Sequence, residues 1–194
     1  MASYATESIR AVALVGHGGS GKTSLAEALL FRAGAIPAKG TVEKGSTVCD
    51  FDPQEKTAGH SLNSALVNFA AEGVHIHLVD APGYPDFAGQ AFAALAGVDT
   101  AMIVINAQTG IELMTERMMR AARQRGLARM IVINKIDAEN LDLPGLVAAI
   151  RERFGNECKL LDLPAHDRAD VVEVLEHDSG DADFDTVAHA HREL

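Results

Sequence analysis

Short apolar runs rich in β-branched residues alternate along this chain with stretches whose apolar positions recur every three or four residues. Residues 11–15 read as a buried strand. Residues 22–33 follow as a helix, with Leu25, Ala28, Leu29 and Ala33 on one face. Between 34 and 60 the pattern lapses. Four glycines, Pro37 and Pro53 interrupt a polar stretch with no clean period, and so long a loop is the kind that carries function. Residues 62–70 and 74–79 read as two strands joined by a turn at Glu72-Gly73, an antiparallel pair. Then come a helix over 86–96, a buried strand over 100–106 and a helix over 112–125, which is rich in arginine at its end and closed by Gly126. A buried strand over 130–133 and a helix over 144–154 with proline in its first turn complete the regular part. Beyond Leu163 the chain turns acidic, with a possible strand over 170–175 and the beginning of a helix over 186–194.

Continuous apolar strands alternating with helices predict an α/β fold. It should hold a mostly parallel sheet with one antiparallel edge strand and helices on both faces. Ligands of such sheets bind beyond the carboxyl ends of the strands. Each chemically informative motif here stands directly after a predicted strand.

The first of these motifs is Gly16-His17-Gly18-Gly19-Ser20-Gly21-Lys22-Thr23, a complete P-loop pattern followed by Ser24. Its glycines let successive backbone N–H groups turn inward around phosphate oxygens, and the following helix adds the positive end of its dipole. Lys22 is placed to neutralise β- and γ-phosphate charge, and the Thr23 hydroxyl to meet Mg2+. The expectation is therefore a P-loop NTPase. The second motif, Asp80-Ala81-Pro82-Gly83, ends a strand. A carboxylate there can hold Mg2+ through water, and the Gly83 amide can sense a γ-phosphate. The third, Asn134-Lys135-Ile136-Asp137, also follows a strand. A carboxylate at Asp137 can accept the paired N1 and N2 donors of guanine, which adenine lacks. Asn134 can bond the other base edge, and the stem of Lys135 can pack on the ring. This motif narrows the nucleotide to GTP or GDP.

Composition changes this picture little. With 194 residues, 47% hydrophobic and 23% charged, the chain suits one globular domain with a small appendage. The net charge of −10 argues against a broad basic face gripping nucleic acid by itself. No apolar run approaches the ~18 residues of a membrane span, and two cysteines make no disulfide framework. The expectation is a cytoplasmic, monomeric domain. His75 and His77 share one face of a strand, where an exposed surface is favoured over a metal site. His177, His189 and His191 are expected to face solvent, and Met114, Met118 and Met119 to pack.

These motifs resemble the GTP-binding domain of elongation factor G, and more closely that of the divergent elongation factor G-like group. The likeness runs from about Arg10 to the end of the chain, and the stretch 50–62 is similar to the family's first switch. The resemblance implies a magnesium-dependent GTPase acting on the ribosome through its full-length parent. Its switches would span roughly 40–61 and 80–89, with Ser61 standing where a threonine closes on Mg2+. It assigns Thr23, Ser61 and Asp80 to the metal, and Lys22, Gly83 and Tyr84 to catalysis. Tyr84 replaces the family's water-orienting histidine, Ala81 a threonine and Ala58 an arginine. A phenol is a poor base near neutrality, so weak or differently stimulated hydrolysis is expected. The family's final guanine-contacting loop does not follow Asp137. Residues 1–157 are accordingly expected to form an incomplete GTP-binding core, and 158–194 the beginning of an inserted subdomain. Two alternatives stay open: a guanine-nucleotide-binding module with little turnover, and another P-loop phosphotransferase.

Overall fold

The computed structural model describes residues 4–194, which fall into two compact units, one reaching to Asn134 and the other beginning at Lys135. The first unit is built on a five-stranded sheet: β1 (Ile9–Gly16), β2 (Ala65–Ala71), β3 (Val74–Asp80), β4 (Thr100–Asn106) and β5 (Ala128–Asn134). Their spatial order is β2-β3-β1-β4-β5. All neighbours are parallel except β2, which runs antiparallel to β3 at the edge. The hairpin turn is the expected Glu72-Gly73, with both residues at positive φ, 49° and 80°, as a tight two-residue turn between twisted strands requires.

Alternation along the strands supplies both faces. Leu14, Leu78 and Val104 join Ala26 and Leu30 of α1 (Lys22–Arg32) in one buried cluster, together with Val67 and Phe69 of β2. Their neighbours Ala13, Val15, Ile103 and Ile105 are equally buried and point the other way. On that side α3 (Ala88–Ala96) and α4 (Leu113–Gln124) pack on each other and on β1 and β4. Met114 and Met118 are fully buried and Met119 nearly so, the packing role expected of them. Gly126 closes α4 at φ 69°, with Gly126 N–H donating to Arg123 and Leu127 N–H to Ala122.

The stretch 34–60 departs from its featureless reading. It contains α2 (Pro53–Ala58), opened by Asp52. The Asp52 carboxylate accepts Gln54 N–H at 2.8 Å, and Glu55 reaches back to Asp52 N–H at 3.1 Å, a capping box. The strand expected from residue 62 begins only at Ala65. Leu62 and Asn63 donate their N–H groups to Glu55 Oε1 at 2.9 and 3.0 Å instead of to a neighbouring strand. Likewise the helix expected from residue 86 opens as a 3-10 turn, Pro85–Phe87, before α3 begins.

Glu55 is buried and accepts three loop amides, so it is the internal post of this loop. Glu27 does the same from α1, accepting the N–H groups of Gly40 and Val48. Glu55→Ala is expected to leave Leu62 and Asn63 N–H unpaired and to cost about 2–4 kcal/mol. Faster amide exchange at those two residues, with the sheet amides unchanged, is the measurement. Unchanged protection there refutes the role given to Glu55.

The second unit contains α5 (Leu143–Phe154), the hairpin β6 (Asp162–Ala165) and β7 (Asp170–Glu173), and α6 (Val187–Glu193). Its small core is Leu163, Val174, Val187 and Ala190. The strand β6, which contains Pro164, was not expected. His191 is another departure: it is half-buried, its Nδ1 2.7 Å from the Val174 carbonyl, whereas His177 and His189 are exposed.

Candidate functional site

The strand register sets β1, β3, β4 and β5 ending on one edge, since Leu14 lies beside Asp80, Gly16 beside Val104, and Asn106 beside Asn134. The P-loop leaves β1 at that edge. Gly16 must be glycine: at φ 143°, a Cβ would collide with the Val104 carbonyl on the adjacent strand. Gly19 and Gly21 also take positive φ, and α1 starts directly after Gly21. Ser24 stands exposed in the first turn of α1.

Lys22 is buried, its Nζ donating to the carbonyls of His17 at 2.8 Å and Gly16 at 3.3 Å. Burial lowers its pKa to about 8, against the attraction of Asp80 and Glu112. Gly83 sits so close that a methyl there would strike Lys22 Nζ and the backbone of His17 and Gly18. Tyr84 lays its ring over Gly18, where an added Cβ would be 2.8 Å from the ring. His17 points its Nε2 towards Glu112 at 3.5 Å.

The three residues assigned to a metal do converge. Thr23 Oγ1 donates to Asp80 Oδ2 at 2.7 Å and lies 3.2 Å from Ser61 Oγ. Ser61 in turn donates to Asp50 Oδ1 at 2.7 Å. Asp80 Oδ1 is buried and meets no N–H or O–H donor among the described residues. Hydroxyls and carboxylates around an unpaired buried carboxylate oxygen fit a small hard cation such as Mg2+. Burial raises the Asp80 pKa to about 6, with Thr23 and Lys22 opposing the shift and Asp50 and Glu55 adding to it. Burial, with Asp80, Glu27 and Asp50 nearby, pushes the Cys49 thiol up and keeps it protonated.

Asn134 reaches the P-loop itself, its Nδ2 donating to the Ser20 carbonyl at 2.9 Å, so it ties the end of β5 to the phosphate loop. Lys135 and Asp137 belong to the second unit. There Lys135 takes φ 61°, and Ala138 N–H donates to its carbonyl at 3.3 Å. His75 and His77 are not the exposed pair expected. They are half-buried, with His75 stacked on Tyr4 at 4.4 Å and edge-on to His77 at 4.8 Å. Sequence reasoning missed Asp50 and the posts Glu27 and Glu55. The one local signal was the Asp52-Pro-Gln-Glu55 capping pattern.

The two shifts oppose each other in sign. Asp80, with its folded pKa raised, adds stability fully present below about 4 and lost as pH rises through about 6. Lys22, with its folded pKa lowered, adds stability present above about 10.5 and lost as pH falls through about 8. In the absence of metal and nucleotide, both groups therefore cost most between pH 6 and 8. Asp80→Asn is expected to raise metal-free stability at pH 7 by roughly 1–2 kcal/mol, allowing for the lost attraction to Lys22. It should change nothing at pH 4. Denaturant titrations at the two pH values decide it; an equal effect at both removes the charge explanation.

Comparison with known proteins places this geometry. Residues 7–188 match the family described as the elongation factor Tu GTP binding domain. An elongation factor G-like protein of Mycobacterium tuberculosis is 38% identical over 159 residues, which is 82% of this chain and 22% of that protein. Elongation factor G 2 of Streptomyces coelicolor is 36% identical over 156 residues, 80% of this chain and 23% of that one. The crystal structure of a protein from Thermus thermophilus superposes with a TM-score of 0.84 at 34% identity, over 95% of this chain and 30% of its own. The chain thus spans less than a quarter of the length of these two curated relatives.

Proposed function

The chain belongs to the elongation factor Tu GTP-binding domain family, and from that premise we propose that it binds GTP and GDP with Mg2+ and hydrolyses GTP as the nucleotide switch of an elongation factor G-like protein. The observation that carries the reading is the meeting of Thr23, Ser61 and Asp80 beside a P-loop whose Lys22 is buried against the loop's own carbonyls. In it the backbone N–H groups from His17 to Thr23 take the phosphates, with Lys22 neutralising β- and γ-oxygens. Thr23, Ser61 and Asp80 hold Mg2+, which when bound draws off charge developing on the phosphate oxygens. Gly83 contributes its N–H to the γ-phosphate, and Asn134, Lys135 and Asp137 select guanine.

Thr23 donates to Asp80 and lies 3.2 Å from Ser61 Oγ, so the loop ending at Ser61 and the end of β3 meet at this residue. In the proposed switch the γ-phosphate and its Mg2+ would draw both loops onto the P-loop, and loss of that phosphate would release them together. The ribosome is the partner we assign to the longer protein, with the cytoplasm as its compartment and a monomer as its state. We read 1–157 as the GTP-binding core and 158–194 as the beginning of an inserted subdomain. The separate small core of that region supports this. Among the described residues no helix is long and apolar enough to cross a membrane. Tyr84 favours a second reading, a nucleotide-binding module with little turnover, because its phenol stands at the water-orienting position.

Titration of fluorescent GDP, GTP and ATP analogues with Mg2+ tests the main reading. Guanine-selective binding is the expected result, and equal affinity for ATP refutes it. Single-turnover hydrolysis with and without ribosomes then separates the switch from the silent module.

A further inference from the structure

Hydrolysis at this P-loop needs a side chain that holds the attacking water in line. The ring over Gly18 belongs to Tyr84, whose phenol is a weak proton acceptor near neutrality. A second ring stands beside it. His60 packs against Tyr84 with centroids 4.6 Å apart and planes inclined by 57°, and lies 6.1 Å from Phe87. Its position is set by its neighbour, because Ser61 Oγ is within 3.2 Å of Thr23 Oγ1 and is bonded to Asp50. His60 Nδ1 has only a long contact, 3.4 Å, with the Ser61 carbonyl. Its Nε2 has no partner among the described residues. The other imidazole of this edge, His17, points Nε2 towards Glu112 at 3.5 Å, and its Nδ1 is buried away from solvent with no hydrogen-bond partner among the described residues.

We propose that His60 orients the attacking water in GTP hydrolysis, with Tyr84 as the platform that holds its ring over the P-loop. The inference rests on the proposed GTPase reading and adds the residue that reading lacks. In the step, the water oxygen bonds to the γ-phosphorus as the bond from that phosphorus to the β–γ bridging oxygen breaks. The bond's electron pair leaves on GDP, and the water proton ends on the phosphate product. His60 accepts a hydrogen bond from the water and so aims its lone pair. A residue carried on the first loop is present only while that loop is closed on Thr23, which couples hydrolysis to the switch.

The test compares His60→Phe, His60→Gln and His60→Gly in this chain. Fluorescent GDP binding is measured first, then single-turnover GTP hydrolysis. His60→Phe keeps the ring contact with Tyr84 and removes the nitrogens. The expected result is unchanged nucleotide affinity with hydrolysis slowed about 100-fold. His60→Gln should recover part of the rate, since an amide also orients water. Free imidazole should accelerate His60→Gly and leave His60→Phe unaffected. A His60→Phe rate equal to that of the parent overturns the proposal. So does a slowed rate that neither glutamine nor imidazole restores, which would make His60 a packing residue. A parent chain that binds guanine nucleotide without hydrolysing it overturns it too. Absence of guanine binding by the parent refutes the GTPase reading itself, which is a separate result.

Discussion

Lys22→Ala lowers affinity for GDP and GTP by roughly 100- to 1,000-fold, corresponding to a loss of ~3–4 kcal/mol, within the range for removing one partner of a buried charge pair. The free protein buries this ammonium against two carbonyls, Gly16 and His17, and burial holds its pKa down at about 8. A carbonyl pair is a weak substitute for an anion, so the residue is strained in the direction that phosphate relieves. Binding gains from that relief, and the alanine variant cannot. The same argument says that the variant folds, because relief of a desolvated cation offsets the packing lost with its buried stem. Circular dichroism should therefore be unchanged while fluorescent GDP no longer titrates. Retained nucleotide affinity in a folded variant would mean that phosphate binds elsewhere.

Asp137→Asn abolishes the preference for guanine over adenine, which we expect to exceed 10³-fold in the parent by order of magnitude. The carboxylate, exposed in the free protein, faces two donors on a bound guanine and none on adenine, so adenine would cover a charge and leave it unpaired. An asparagine offers one acceptor and one donor, and neither base satisfies it well. Competition of unlabelled GDP and ADP against a fluorescent guanine nucleotide measures the ratio. The expected change is mostly a loss of GDP affinity, with a smaller gain for ADP as the unpaired charge is removed. A preserved ratio would remove Asp137 from the base contact and shift selectivity to other residues.

The legible parts of this molecule are those whose cause is local. Gly16 to Thr23 declares a phosphate loop because glycines inside it answer to local backbone angles, as the positive φ of Gly19 and Gly21 shows. Glu72-Gly73 set the hairpin turn, and Gly126 the end of α4, for the same reason. Buried strands show themselves by continuous apolar runs, so the parallel sheet with its antiparallel edge was readable from composition along the chain. Where a short element depended on a distant partner, the pattern misled. The strand beginning at Ala65 looked three residues longer because Leu62 is apolar, yet its N–H is held by Glu55. Residues 53–58 looked like loop because no apolar stripe marks so short a helix.

The chain's own order of residues thus determined the sheet, the glycine-rich loop and which side chains stand as candidates for chemistry. The tertiary structure alone decided which of them meet. Thr23 finds Asp80 across 57 residues and Ser61 across 38, and Asn134 finds Ser20 across 114. Glu27 and Glu55 become buried posts only when a folded loop presents its amides to them. Backbone angles and helix caps act over a few residues and so are written locally. Desolvation, hydrogen bonding and the pairing of charges depend on what the finished fold brings into contact, and no local pattern specifies that.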